Sequence, residues 1–279
     1  MGSGGQDMAE VVWQVFAIKY AERNARTRQD SFILDDDHAT PHAMDYFLWV
    51  LKSPLGAIVV DTGYDREEGE RRGRPILRDP REAVAAVGVD PEAVETLIVT
   101  HMHYDHAGGL DRFPRATIHI QQSEMAFATG PCMCHEHLRK PFTAEHACQL
   151  VRRLYEGQVR FHEGEGSIAP GVTVHRIGGH TQGLQVVRVR TEAGWLCLAS
   201  DASHYYENFL SGKPFPIVLN LAAMLDGFRR IQSLADSPDL VVPGHDPLVF
   251  EHFATPAGAP DFVLRLDQGP RRSIVAAGG

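Results

Sequence analysis

His101-Met102-His103-Tyr104-Asp105-His106-Ala107-Gly108-Gly109 decides how this chain is read. It follows residues 96–100, Thr-Leu-Ile-Val-Thr, a short β-branched run that reads as a buried strand, and a second such run follows at 116–121. A turn at the end of a buried strand aims several side chains at one point. Imidazole nitrogen and carboxylate oxygen both suit zinc, with bonds of about 2.0–2.2 Å. His101, His103, Asp105 and His106 offer four such donors within six residues. Once other ligands join, that exceeds the need of one tetrahedral ion, so the spacing points to two ions sharing a pocket.

Three more donors stand outward from this loop at predicted strand ends, each beside glycine or a small residue. They are His180 in Gly178-Gly179-His180-Thr181-Gln182-Gly183, Asp201 in Ser200-Asp201-Ala202-Ser203, and His245 in Pro243-Gly244-His245-Asp246. Glycine lets the backbone come close to a metal. Any one of these alone is more often an ordinary surface or core residue, but together with the first cluster they form a set.

The 279 residues carry 27 Lys plus Arg against 36 Asp plus Glu, a net charge of −9 that argues against a nucleic-acid partner. Apolar residues make up 43%, enough for a large core, yet no apolar run approaches the roughly 18 residues of a transmembrane helix, so no membrane partner is expected. Cys132, Cys134, Cys148 and Cys197 are too few and too uneven for a disulfide framework, and no secretory signal is visible, which points to the cytoplasm. One domain over 1–279 is expected, with a disordered or tag-derived start at 1–8 and a mobile tail at 271–279.

Strands are predicted at 11–20, 46–51, 56–61, 96–100, 116–121, 172–177, 184–190, 195–200 and 240–242. Helices are predicted at 81–87, for one turn after Asp90-Pro91, and at 220–234. Segment 123–157 reads as an insertion whose second part, with Ala144, Ala147, Leu150, Val151 and Leu154 on one face, covers the site as a helical cap. Within it, Met125, Phe127 and Met133 are expected to contact an apolar substrate, while Cys132-Met133-Cys134-His135-Glu136-His137 lacks the spacing of a structural zinc site. The run 67–81, with Arg71, Arg72, Arg74 and Arg78 among Glu and Gly, reads as a solvated loop, as does the acidic stretch with His38 and His42. The likeness of 56–63 to 194–202, and of Leu97-to-His103 to Leu240-to-Asp246, suggests two related halves.

The donor pattern resembles the metallo-β-lactamase superfamily, whose H-x-H-x-D-H signature stands here as His101 to His106 and whose later His, Asp and His are matched by His180, Asp201 and His245. Within it the chain is similar to the dinuclear-zinc N-acyl-homoserine lactonases. H-M-H-Y-D-H-A-G-G, the helical insertion, G-G-H-T-Q-G, D-A-S with a following E-N-F, and the terminal G-H-D come in the same order. The resemblance covers nearly the whole chain. It implies an α/β fold, a four-layer αββα sandwich with a helical insertion, and two Zn2+, although such donors also accept other divalent transition metals. It also implies that His101, His103 and His180 hold one zinc, that Asp105, His106 and His245 hold the other, and that Asp201 bridges them. The implied reaction opens a lactone, an N-acyl-homoserine lactone or related cyclic ester, by a metal-bridging hydroxide, with Asp105 or Asp201 passing the proton to the leaving alkoxide. For homoserine lactones this is quorum quenching.

Those lactonases carry a tyrosine three residues after the bridging Asp that donates to the substrate carbonyl. This chain has His204 there, followed by Tyr205 and Tyr206, so His204 and Tyr205 join Asp105 and Asp201 as expected catalytic residues. Asp61 matches a D-T-G common in the superfamily and reads equally as a holder of a ligand histidine or as a turn former. Two alternatives share the signature: a thioesterase resembling glyoxalase II, whose basic C-terminal region is not evident after His245, and a mononuclear-iron persulfide dioxygenase. A monomer or homodimer is expected.

Overall fold

Alternation along the long N-terminal strands sets the architecture. In the computed structural model, which describes residues 11–275, β1 (Gln14–Arg23) pairs antiparallel with β2 (Met44–Ser53). Successive side chains of a strand point to opposite faces. Phe47, Trp49 and Leu51 of β2 enter one core cluster, whereas Met44, Tyr46, Leu48 and Val50 enter another. Burial on both faces is why this strand reads as one continuous apolar run.

β3 (Gly56–Val60) pairs antiparallel with β2, and β4 (Thr96–Ile98), β5 (Thr117–Gln121) and β6 (Val159–His162) continue the sheet in parallel. β7 (Glu165–Ala169), β8 (Val172–Arg176), β9 (Gln185–Thr191) and β10 (Gly194–Ser200) form an antiparallel meander, and β11 (Val241–Pro243) lies parallel to β10. β12 (Val263–Arg265) returns to the outer side of β1. The result is a seven-stranded sheet, β12-β1-β2-β3-β4-β5-β6, and a five-stranded sheet, β11-β10-β9-β8-β7.

The first cluster joins Trp49, Leu51 and Ile58 of the large sheet to Val174, Val187 and Leu198 of the small one, so the sheets pack face to face. Helices α1 (Arg66–Arg71), α2 (Pro80–Ala85) and α3 (Tyr104–Ala107) lie between β3 and β5 in the chain. Next come α4 (Gln122–Ala128), α5 (Glu136–Arg139) and α6 (Ala144–Tyr155), then, after β10, α7 (Tyr206–Ser211), α8 (Leu221–Leu234) and α9 (Leu248–His252). Ala83 and Val84 of α2 and Leu150 of α6 join the second cluster, while Phe209 of α7 and Phe228 and Ile231 of α8 join the first. Two sheets flanked by helices are the expected mixed α/β sandwich.

Local chemistry starts the helices where the sequence suggests. Asn220 accepts from the Ala223 amide at 3.0 Å to open α8, and Asp90 accepts from the Glu92 amide at 3.0 Å to open the single turn after Asp90-Pro91. The related halves have a structural counterpart: hairpin β2–β3 is followed by parallel β4, and hairpin β9–β10 by parallel β11. β6, β7 and β12 escape the sequence reading because they are short and lie at sheet ends, where half-polar strands such as Val-Arg-Phe-His lack an apolar period. The tail expected at 271–279 is held over its first residues. Ile274 is buried and its amide donates to Asp239 Oδ1 at 2.7 Å, whereas 276–279, like 1–8 at the other end, lie outside the described residues. Among the described residues no helix is long and apolar enough to cross a membrane.

Candidate metal centre

The donor-bearing turns all leave the same end of the two sheets. β4 runs into the His101–His106 turn and α3, β10 ends at Ser200 beside Asp201, and β11 runs into Gly244-His245. Asp61 and Ser200, at the ends of the equivalent strands β3 and β10, adopt left-handed φ values of 62° and 44°. Such strain persists where surrounding bonds over-determine it. Here Asp61 accepts from the Thr100 amide and from Thr100 Oγ1, both at 2.8 Å, and Thr100 Oγ1 lies 2.9 Å from Ser200 Oγ. Gly244 permits the approach of β11: a Cβ there would meet the Ser200 carbonyl at 2.8 Å and Asp201 Oδ1 at 2.9 Å.

All seven sequence-predicted donors converge. His101, His103, His180 and Asp201 form one buried group and Asp105, His106 and His245 a second. Asp201 stands between them. Its Oδ2 is 3.2 Å from His180 Nε2 and 3.8 Å from His101 Nε2, while its Oδ1 is 3.1 Å from both His106 Nε2 and His245 Nε2. Asp105 Oδ2 lies 3.8 Å from the same two nitrogens. Two ligands of one tetrahedral ion, with bonds of about 2.0–2.1 Å, stand roughly 3.3 Å apart. The carboxylate thus offers one oxygen to each histidine set.

Each ring is aimed by what its other nitrogen holds. His106 Nδ1 donates to Asp61 Oδ2 at 2.7 Å, His180 Nδ1 to the Ile217 carbonyl at 2.7 Å, and His245 Nδ1 to the Asp45 carbonyl at 2.8 Å. Their Nε2 lone pairs are left facing the centre. His103 Nδ1 and His180 Nε2 sit 2.9 Å apart. His101 Nε2, His106 Nε2 and Asp201 Oδ1 are buried with no hydrogen-bond partner among the described residues, a cost that a bound cation removes. The donor set therefore fits divalent metal. Burial, reinforced by neighbouring imidazoles, holds the proton affinity of His101 and His103 well below the ordinary histidine range, which keeps their lone pairs free. Burial works against ionised Asp201, but His245, His106 and His204 outweigh it and hold its carboxyl well below the usual range.

Residues 46–245 match the family model of the metallo-beta-lactamase superfamily, an interval that runs from β2 to the last donor. This chain belongs to that superfamily. Among its curated relatives, the N-acyl homoserine lactonase AttM of Agrobacterium fabrum is 31% identical over 241 residues, covering 77% of this chain and 85% of the relative. An N-acyl homoserine lactonase of Bacillus sp is 28% identical over 220 residues, covering 73% and 82%. The fold is similar to an N-acyl homoserine lactone hydrolase solved with the product N-hexanoyl-L-homoserine at its catalytic metal centre. There the TM-score is 0.73 at 21% identity, covering 89% of this chain and 99% of that one.

Above the metallo-beta-lactamase centre lies a cavity of about 230 Å³, lined by His103, Asp105, His180, Asp201, His204 and His245 at its base. A larger cleft of about 460 Å³, at Lys52, Gly56 and Thr96, lies at the opposite end of the parallel strands and, among the described residues, holds no donor cluster. His204 is in place but engaged: its ring stacks on Phe215 with centroids 3.8 Å apart, and its Nε2 is 2.9 Å from Asp201 Oδ2. Burial pushes its pKa down to about 3. Tyr205 departs from expectation. It does not line the cavity, and its hydroxyl donates to the Ala43 carbonyl at 3.1 Å beneath the His42 ring; its backbone is extended, which sends its side chain to the side opposite that of its neighbour. Tyr205 is thus corrected from catalytic contact to core residue.

The insertion contributes differently from the sequence expectation. Phe127 lines a small side cavity of about 20 Å³ beside His103 and His180, whereas Met125 and Met133 line neither it nor the main cavity. The Cys132–His137 run gathers no metal-binding group among the described residues. Two features went unread. Glu124, fully buried, accepts from the Met102 amide at 2.9 Å, Thr181 Oγ1 at 2.7 Å and the Gly183 amide at 2.9 Å, tying the two histidine loops together. Arg72 and Arg74, assigned to a solvated loop, line the cavity beside the Tyr104 ring, with guanidinium carbons 4.1 and 5.2 Å from its centroid. No periodicity marks either feature, since both depend on contacts between distant segments.

Proposed function

We propose that this metallo-beta-lactamase superfamily member is a dinuclear zinc hydrolase that opens a lactone ring, with N-acyl-homoserine lactones the first substrates to try. The observation that carries the reading is Asp201, one oxygen toward His101, His103 and His180 and the other toward Asp105, His106 and His245. The lactonase relatives support the substrate class. His101, His103 and His180 would hold one zinc, Asp105, His106 and His245 the other, and Asp201 both. When bound, such ions supply a water nucleophile at neutral pH and a Lewis acid for the lactone carbonyl.

The chain's own residues do the rest. Asp201 and Asp105 border the cavity floor, where either takes the proton of the attacking water and returns it to the ring oxygen as the alkoxide leaves. His204 has a different task from the tyrosine it replaces. A neutral imidazole donates from one nitrogen only, so while Nε2–H binds Asp201 Oδ2 the ring holds that carboxylate in line and does not donate to substrate. Tyr46, Tyr104 and the guanidiniums around them are left to receive the substrate's polar atoms.

The test is acid release, followed with a pH indicator, when zinc-loaded protein meets homoserine lactones of short to long acyl chain and simple aliphatic lactones. Turnover at enzyme-like rates is expected for at least one class. Two bound metals with no acid released from any member would refute lactone hydrolysis.

A further inference from the structure

The walls of the cavity carry more positive charge than a neutral lactone can use. Arg23, Arg26, Arg72, Arg74 and Lys140 line it, and among the described residues Asp30 is the one lining carboxylate outside the donor set. This gathering occurs in a chain whose net charge is −9. Among the described residues only Arg72 of the five is ion-paired, to Glu68. Arg26 is 7% exposed, with Nη2 donating to the Asp30 carbonyl at 2.8 Å and to Ser31 Oγ at 3.1 Å, and its Nε has no hydrogen-bond partner among the described residues. Arg74 donates to the Tyr104 hydroxyl through Nη1 alone and lies over its ring, with no carboxylate partner among the described residues. The five come from three separate segments, the end of β1, the chain after α1 and the chain after α5, so sequence proximity did not bring them together.

We infer that the preferred substrate carries a second, anionic group, a carboxylate set apart from the scissile ester, which is received by Arg23, Arg26 and Arg74. A ligand that fills the cavity expels the water around these cations. A neutral acyl chain would leave them desolvated and unpaired, which is costly, whereas a carboxylate accepts two parallel bonds from a guanidinium. The metals add positive charge at the floor, so the whole cavity attracts anions. This inference rests on the reading of the cavity as the substrate pocket of a lactonase.

The experiment separates the two claims by measuring binding without turnover. N-succinyl-homoserine lactam, which carries the carboxylate, and its terminal primary amide, which does not, are titrated calorimetrically into zinc-loaded protein at low salt. The carboxylate form is expected to bind roughly ten- to a hundredfold tighter, the range of a charge-assisted hydrogen bond or two. The preference should shrink with added salt. It should also vanish in Arg23→Gln combined with Arg74→Gln, with Arg23→Gln alone as the milder variant if the pair fails to fold. Equal binding of the two lactams overturns the inference whatever the lactone panel shows. A preference that survives loss of the arginines assigns the carboxylate to the metals and overturns it equally.

Discussion

Replacing Asp61 by Asn tests whether the centre is held by its supporting bonds or by its ligands alone. Asp61 is fully buried; its Oδ2 receives His106 Nδ1 at 2.7 Å and Thr100 Oγ1 at 2.8 Å, and its Oδ1 receives the Thr100 amide at 2.8 Å. Asparagine offers one acceptor oxygen and one NH2. If the oxygen stays with the Thr100 amide, the NH2 faces His106 Nδ1, and the imidazole must carry its proton on Nε2, where a metal needs the lone pair. If the amide is turned over, two N–H groups confront each other at Thr100. Asn tolerates the left-handed φ of 62°, so backbone strain does not confuse the outcome. Loss of such a partner lowers metal affinity by about 10- to 100-fold, or about 1.4–2.7 kcal/mol. Competition for zinc against a chromophoric chelator, with circular dichroism as the check on folding, reads this directly. Unchanged metal affinity would refute the argument that Asp61 fixes the His106 tautomer.

Three further outcomes are expected. His103→Ala and Asp201→Ala each abolish lactone hydrolysis with the fold retained, because one strips a histidine set and the other the shared carboxylate; full activity in either shows the site to be elsewhere. Glu124→Ala leaves Met102, Thr181 and Gly183 donors unmet in the interior, at a combined cost of about 3 kcal/mol and a fall in Tm of roughly 5–10 °C. A Tm equal to that of the parent would mean the two histidine loops do not depend on it. Burial pushes the Glu68 carboxyl up, but Arg71, Arg72 and Thr143 outweigh it and bring it down to about 2. The folded value lies below the unfolded value of about 4.3, so its stabilisation is full above that pH and is lost as pH falls toward 2. The penalty of Glu68→Gln in urea denaturation is therefore largest at neutral pH and fades through that window, and a constant penalty contradicts the ion-pair reading.

The donors were legible because each sits in a turn that ends a strand with an evident apolar run: Thr96-to-Thr100 before His101, Val241-Val242 before His245. The roles of neighbouring residues were not. His204 and Tyr205 are adjacent in sequence, yet one stacks on Phe215 at the cavity floor and the other bonds to Ala43, because Tyr205 holds extended backbone, in which successive side chains point to opposite sides. Glu124 looks like any acid at the head of a surface helix until the His180 loop closes over it.

Residue chemistry and strand periodicity, both local properties, determined most of the strands and the seven His and Asp donors of a divalent-metal site, and the order of those donors along the chain carried the resemblance that implied the α/β sandwich. Tertiary structure alone decided which oxygen of Asp201 faces which histidines, that Asp61 both turns the chain and holds His106, and that arginines read as solvated enclose the cavity. These are distances between segments far apart in the chain. They are set by how two sheets pack and where their loops meet, and no spacing in the sequence records them.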